Sequence, residues 1–80
     1  MKCTIKAFGI SREIIGNRFL EMELPEGYTI SDLKSELFQK YPLFDNLKSL
    51  YVALNNEYAD DRSVLKTGDE IALIPPVSGG

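Results

Sequence analysis

Apolar and polar positions alternate with period two at the start of the chain. Met1, Cys3, Ile5 and Ala7 fall on one side of Lys2–Phe8, and Lys2, Thr4, Lys6 and Phe8 on the other. That is the pattern of a half-buried strand, with Phe8 as an aromatic on its polar face. Phe19 to Leu24 alternates again, Leu20, Met22 and Leu24 against Phe19, Glu21 and Glu23, and Pro25-Glu26-Gly27 ends it as a turn. The two strands are expected to pair antiparallel. Between them, Ser11 is expected to cap a short helical turn, Arg12–Ile15, stopped by Gly16-Asn17.

The period then changes. Ile30, Leu33, Leu37 and Phe38, with Tyr41 at the end, recur at helical spacing and form one apolar stripe. Thr29 or Ser31 can cap this helix, Asp32 and Glu36 lie toward its positive end, and Pro42 limits it. Leu43–Leu47 reads as a loop or single turn. Leu50–Leu54 reads as a strand, Asn55-Asn56 as a tight turn that tolerates positive φ, and Glu57–Ala59 as a short strand. After the polar stretch Asp60–Ser63 and a turn over Leu65–Asp69, Glu70–Ile74 forms the last strand. Pro75-Pro76 ends it, because proline cannot donate to a strand ladder. The order β-β-α-β-β-β predicts an α+β fold with one main helix packed on one sheet face.

Composition narrows what such a domain does. Eighty residues make one domain, with 44% hydrophobic and 26% charged residues. Net charge is −3 and no basic run occurs, which argues against nucleic acid. Lysines interrupt the apolar residues of Met1–Lys6, so no signal peptide is expected, and no stretch is long enough for a membrane span. The expected compartment is cytoplasmic. The single cysteine, Cys3, excludes an internal disulfide and reads as buried and inert. With no histidine, neither a zinc site nor a Ser-His or Cys-His pair can be built, so a self-contained hydrolase is not expected. Asp60-Asp61 and Asp69-Glu70 lack calcium-loop spacing and read as a solvated acidic loop; Asp69-Glu70 has the alternative role of meeting basic residues of a partner.

The remaining candidate for chemistry is the end of the chain. Residues 1–76 form the folded domain on this reading, and residues 77–80 a flexible tail. A proline pair stiffens the exit from the sheet, and Gly79-Gly80 has no Cβ, so the tip fits a narrow channel. A carboxylate there is unreactive until activated, typically as an acyl-adenylate. Sulfur attack then gives a thiocarboxylate, and amine attack an isopeptide. Strand phase adds a surface to this. If Ile71 and Leu73 face the helix, Ile74 faces out with Phe8, and Tyr58 lies nearby. Phe8, Tyr58 and Ile74 then make an exposed apolar patch for docking a partner beside the tail.

Gly68–Gly80, ending Pro75-Pro76-Val77-Ser78-Gly79-Gly80, resembles the C-terminus of the small subunit of molybdopterin synthase, the MoaD family. Phe8–Gly16 resembles that family's first strand-to-helix segment, and Val52–Asn56 its central strand and turn. Asn17–Leu47 matches by pattern only. Gly9 stands where the family more often has alanine, and Ser78 where threonine is also common. The resemblance implies the β-grasp fold of ubiquitin, a mixed sheet with an extended C-terminal tail. It implies that the chain is not catalytic alone. A ubiquitin-activating-like enzyme uses ATP to adenylate Gly80, a persulfide donor converts it to a thiocarboxylate, and Gly79, Ser78, Val77 and Pro76 enter the large synthase subunit. Sulfur then passes to a pterin precursor of the molybdenum cofactor, in a heterotetramer of two small and two large subunits. No bound cofactor or metal is implied. A sulfur carrier for thiamine or tRNA thiolation, a protein modifier conjugated through Gly80, and a plain interaction domain remain the alternatives.

Overall fold

The computed structural model describes residues 1–47 and 49–75. Its elements are β1 (Lys2–Ala7), α1 (Ile10–Ile15), β2 (Phe19–Glu23), α2 (Ile30–Lys40), a 3-10 turn (Pro42–Asn46), β3 (Tyr51–Leu54), β4 (Glu57–Ala59) and β5 (Ile71–Ile74). The expected tail, residues 77–80, lies outside the described residues, as does Pro76, the last residue of the expected domain.

The five strands form one mixed sheet in the order β2-β1-β5-β3-β4. β1 pairs antiparallel with β2, and β5 returns parallel to β1 with Ile5 level with Ile71 and Ala7 level with Leu73. β3 then pairs antiparallel with both β5 and β4. The expected α+β order therefore takes the ubiquitin-like β-grasp form, with β5 central and running toward the tail.

Alternation sets which face is dry. Cys3, Ile5, Met22, Val52, Ile71 and Leu73 are buried on one side and pack against Ile30, Leu33 and Leu37 of α2. Leu24, Phe44, Leu50 and Leu65, from the connecting segments, close the same core. Phe38 and Tyr41 flank it, each with its ring centroid 6.2 Å from that of Phe44. Thr29 begins α2 with a capping box: its hydroxyl accepts from the Asp32 N–H, and the Asp32 carboxylate accepts from the Thr29 N–H. Of the two expected caps, Thr29 is the one used. The helix ends at Lys40, since Tyr41, ahead of Pro42, is held out of the helical region.

The hairpin between β3 and β4 turns on Asn55 and Asn56, with φ of 53° and 71°, as asparagine permits. One expectation is corrected here. Ser11 does not cap α1. The helix starts at Ile10 with Gly9 before it and no side-chain cap, and Ser11 lies inside it, fully buried. Its hydroxyl has a nearer claim, on the backbone of Phe8, described below.

Candidate functional site

The face of the sheet away from α2 carries the exposed apolar residues. Strand register assigns them to rows. Lys6 is level with Phe19 on one side and Ala72 on the other; Ala72 is level with Ala53, and Ala53 with Tyr58. One row, Phe19-Lys6-Ala72-Ala53-Tyr58, thus crosses all five strands. Nearer the tail, Ile74 is level with Tyr51, and Phe8 continues β1 on the same face. Two alanines at the middle and aromatics at the ends make a groove, lined among others by Phe8, Phe19, Tyr58 and Ile74. Phe8 is 42% exposed and Tyr58 72%.

The three residues expected to form a patch, Phe8, Tyr58 and Ile74, therefore line one depression. Phe19, Tyr51 and Lys6 belong to the same face and were not singled out from the sequence. The signal for Phe19 was present, since it shares the phase of Glu21 and Glu23 on the wet side of β2. Tyr51 and Tyr58 meet edge to face with centroids 5.8 Å apart, and the Lys6 ammonium lies 5.1 Å from the centre of the Phe8 ring.

Phe8 is held in place by its backbone. The Ser11 hydroxyl accepts from the Phe8 N–H at 3.0 Å and donates to the Phe8 carbonyl, so both main-chain groups just past β1 are satisfied by one side chain. Gly9 follows with φ 55° and ψ −132°, a left-side conformation that strains any residue with a Cβ. A Cβ on Gly9 would also lie 3.3 Å from Cγ of Pro75, the residue where the chain leaves β5. Glycine rather than alanine at this position thus answers both the backbone torsion and the close approach of the tail root. Gly9→Ala is expected to cost about 1–3 kcal/mol, read as a lowered Tm; an unchanged Tm would mean that the Phe8–Ile10 turn relaxes freely.

The acidic stretch is used inside the fold. Asp69 accepts from the Lys66 N–H at 2.8 Å and from the Asn55 side-chain amide at 3.1 Å, while the Asn55 side-chain carbonyl accepts from the Glu70 N–H. These bonds tie the β3–β4 turn to the start of β5. Asp60 accepts from the Arg62 N–H, and Asp61 pairs with Lys34 at 2.9 Å. Among the described residues no group of three metal-binding side chains comes together.

Cys3 is 5% exposed on the inner face. Burial pushes its thiol up, with Asp69 and Glu23 adding to that and the N-terminal ammonium opposing it. The nucleophilic thiolate is therefore disfavoured near neutral pH. We expect Cys3 in the native protein to react with a thiol reagent far more slowly than in denaturant, at a rate that follows unfolding; equal rates in both would make Cys3 an available sulfur site.

Gly80, Gly79, Ser78, Val77 and Pro76 lie outside the described residues. The structure brings their point of departure to one corner: Pro75 stands against Gly9, directly after Phe8, beside Ile74.

A mixed sheet of this order with one main helix on one face defines a ubiquitin-like β-grasp protein. Within that class the chain belongs to the ThiS family, whose model matches residues 5–80. It is 39% identical over the full length of both chains to the molybdopterin synthase sulfur carrier subunit of Chlamydomonas reinhardtii. Among solved structures it is similar to SAMP1 from Haloferax volcanii, with TM-score 0.83, 27% identity and complete coverage of both chains. It is also similar to a chain in the complex of subunits 1 and 2 of the molybdopterin-converting factor from Helicobacter pylori, with TM-score 0.69, 30% identity and complete coverage of both chains. Among the described residues no helix is long and apolar enough to cross a membrane.

Proposed function

We propose that this chain is the sulfur carrier subunit of a molybdopterin synthase and that the carboxylate of Gly80 is its reactive group. The observation that carries this reading is the full-length match to relatives of that name, at 39% identity for the algal one. The geometry supports it, because the tail root at Pro75 leaves the sheet at the edge of an apolar groove. A domain that docks by this groove delivers whatever the tail carries to a fixed place on its partner.

The chemistry falls to the terminus and to other proteins. A carboxylate oxygen of Gly80 attacks the α-phosphorus of ATP on an adenylating enzyme, and pyrophosphate leaves. The outer sulfur of a persulfide then attacks the acyl carbon and AMP departs. A thiol cleaves the resulting acyl disulfide, which leaves the thiocarboxylate on Gly80. The tail, Pro76 to Gly79, threads the large subunit, where the sulfur passes to a pterin precursor. Phe8, Tyr58 and Ile74 hold the two subunits together.

The test is intact mass spectrometry after incubation with the adenylating enzyme, ATP and a persulfide donor. One oxygen-to-sulfur exchange at the C-terminus is expected. The likeness to SAMP1, a small archaeal modifier protein by name, favours a second reading in which an amine takes the activated acyl group. Isopeptide adducts through Gly80, with no exchange, would select it.

A further inference from the structure

The central row of the outer face contains one charge. Phe19, Ala72, Ala53 and Tyr58 are uncharged, and Lys6 stands between Phe19 and Ala72 in the middle of the sheet. Among the described residues no carboxylate pairs with it. Lys2 takes Glu21 at 3.3 Å, and the Asp69 carboxylate is held by Lys66 and Asn55. Glu70 precedes Ile71 and so falls one row away, level with Thr4. The Lys6 ammonium instead lies over the Phe8 ring.

A partner that covers Phe8, Phe19 and Tyr58 must also cover Lys6, because the residue stands in the row between Phe19 and Tyr58 and two positions before Phe8 on the same strand face. Taking an ammonium out of water without a counter-charge is costly, and the ring of Phe8 replaces only part of its hydration. The protein itself is acidic, with net charge −3, and Asp69 and Glu70 line the same groove, in which Lys6 is the basic side chain among the described residues.

We infer that Lys6 is a specificity residue of the docking groove, and that the occupant, the large synthase subunit, places a carboxylate over it among apolar side chains. The inference rests on the docking reading above and adds the chemistry of the occupant. Electrostatic complementarity at such a point rejects partners that offer an apolar or basic group there, more than it adds raw affinity.

The experiment is calorimetric titration of the full chain into the large synthase subunit of the same organism, at low and at high salt. Lys6→Met keeps the stem and removes the charge. We expect it to weaken binding about tenfold and to flatten the salt dependence, with Lys6→Glu weaker still and Lys6→Arg close to the parent. Tyr58→Asp, at the far end of the same row, checks the docking reading separately. If Tyr58→Asp weakens binding while Lys6→Met binds as tightly as the parent with the same salt slope, the groove docks the partner and the carboxylate is wrong. If Tyr58→Asp and Lys6→Glu both leave binding unchanged, the docking reading falls and this inference with it. A free-state dimer that Tyr58→Asp dissolves, with no change in large-subunit binding, would assign the groove to a second copy and overturn the inference too.

Discussion

Removing Gly80 will leave a folded protein that no longer exchanges oxygen for sulfur at its terminus. Every buried residue of the described core lies between Cys3 and Leu73, so the deletion leaves that core complete. What it changes is reach. One residue of extended chain spans about 3.4 Å, and the new carboxylate, on Gly79, stops that far short of the nucleotide. A misplacement of even about 1 Å from attack geometry costs on the order of a hundredfold in rate. We therefore expect loss of at least that size in a single-turnover exchange assay, with an unchanged circular dichroism spectrum and Tm. Cys3→Ala is the matching control and is expected to exchange normally, because the thiol is buried and held protonated. Persistence of the exchange after Gly80 deletion, or its loss in Cys3→Ala with the fold intact, would move the sulfur away from the terminus.

The contrast between these two variants follows from how the fold divides its work. The inner face of the sheet is committed to the core, and the side chain with intrinsic sulfur chemistry is sealed there. The central row of the outer face holds aromatic and small residues with one lysine, and among the described residues no group of three metal-binding side chains comes together. A domain this small has one modest core, and opening it for a catalytic cleft would cost stability it does not have to spare. On the proposed reading, chemistry at the main-chain terminus avoids that cost, because the described core ends at Leu73, seven residues before Gly80 in the sequence.

Strand phase made much of this legible before the structure. Alternation in β1 and β5 placed Phe8 and Ile74 outward and Ile71 and Leu73 inward, and the Asn55-Asn56 pair located a hairpin by its tolerance for positive φ. These signals are local, and one residue suffices to read each. The parallel return of β5 beside β1 is non-local, and it came from resemblance rather than from periodicity. Ser11 misled for a similar reason. A serine ahead of a short helical pattern reads as a cap, yet the backbone groups left over at the end of β1 were closer, and the hydroxyl satisfied those. Lys6 was read as the polar phase of a half-buried strand. Only the register across five strands shows that its neighbours in the row are apolar.

Phe8→Asp is expected to disable docking while the domain stays folded. The side chain is 42% exposed on the outer face and takes no part in the core, and the Ser11 bonds that fix the turn act on backbone atoms the substitution retains. In a complex the position changes character. It lies at the tail root, next to Ile74 and ahead of Gly9, where the partner must close over the sheet to receive the tail. A carboxylate there loses the aromatic contact and would be desolvated on burial, in reach of Lys6, which it would neutralise within the protein. Truncation of a central aromatic anchor costs about 2–4 kcal/mol, which is roughly thirty- to a thousandfold in Kd. Titration into the large synthase subunit should show a loss in that range, together with slow sulfur transfer that high subunit concentration restores. That restoration is the informative part. Recovery at high concentration places Phe8 in binding, whereas a rate that stays low at saturation would mean that Phe8 aims the tail as well as anchoring the sheet.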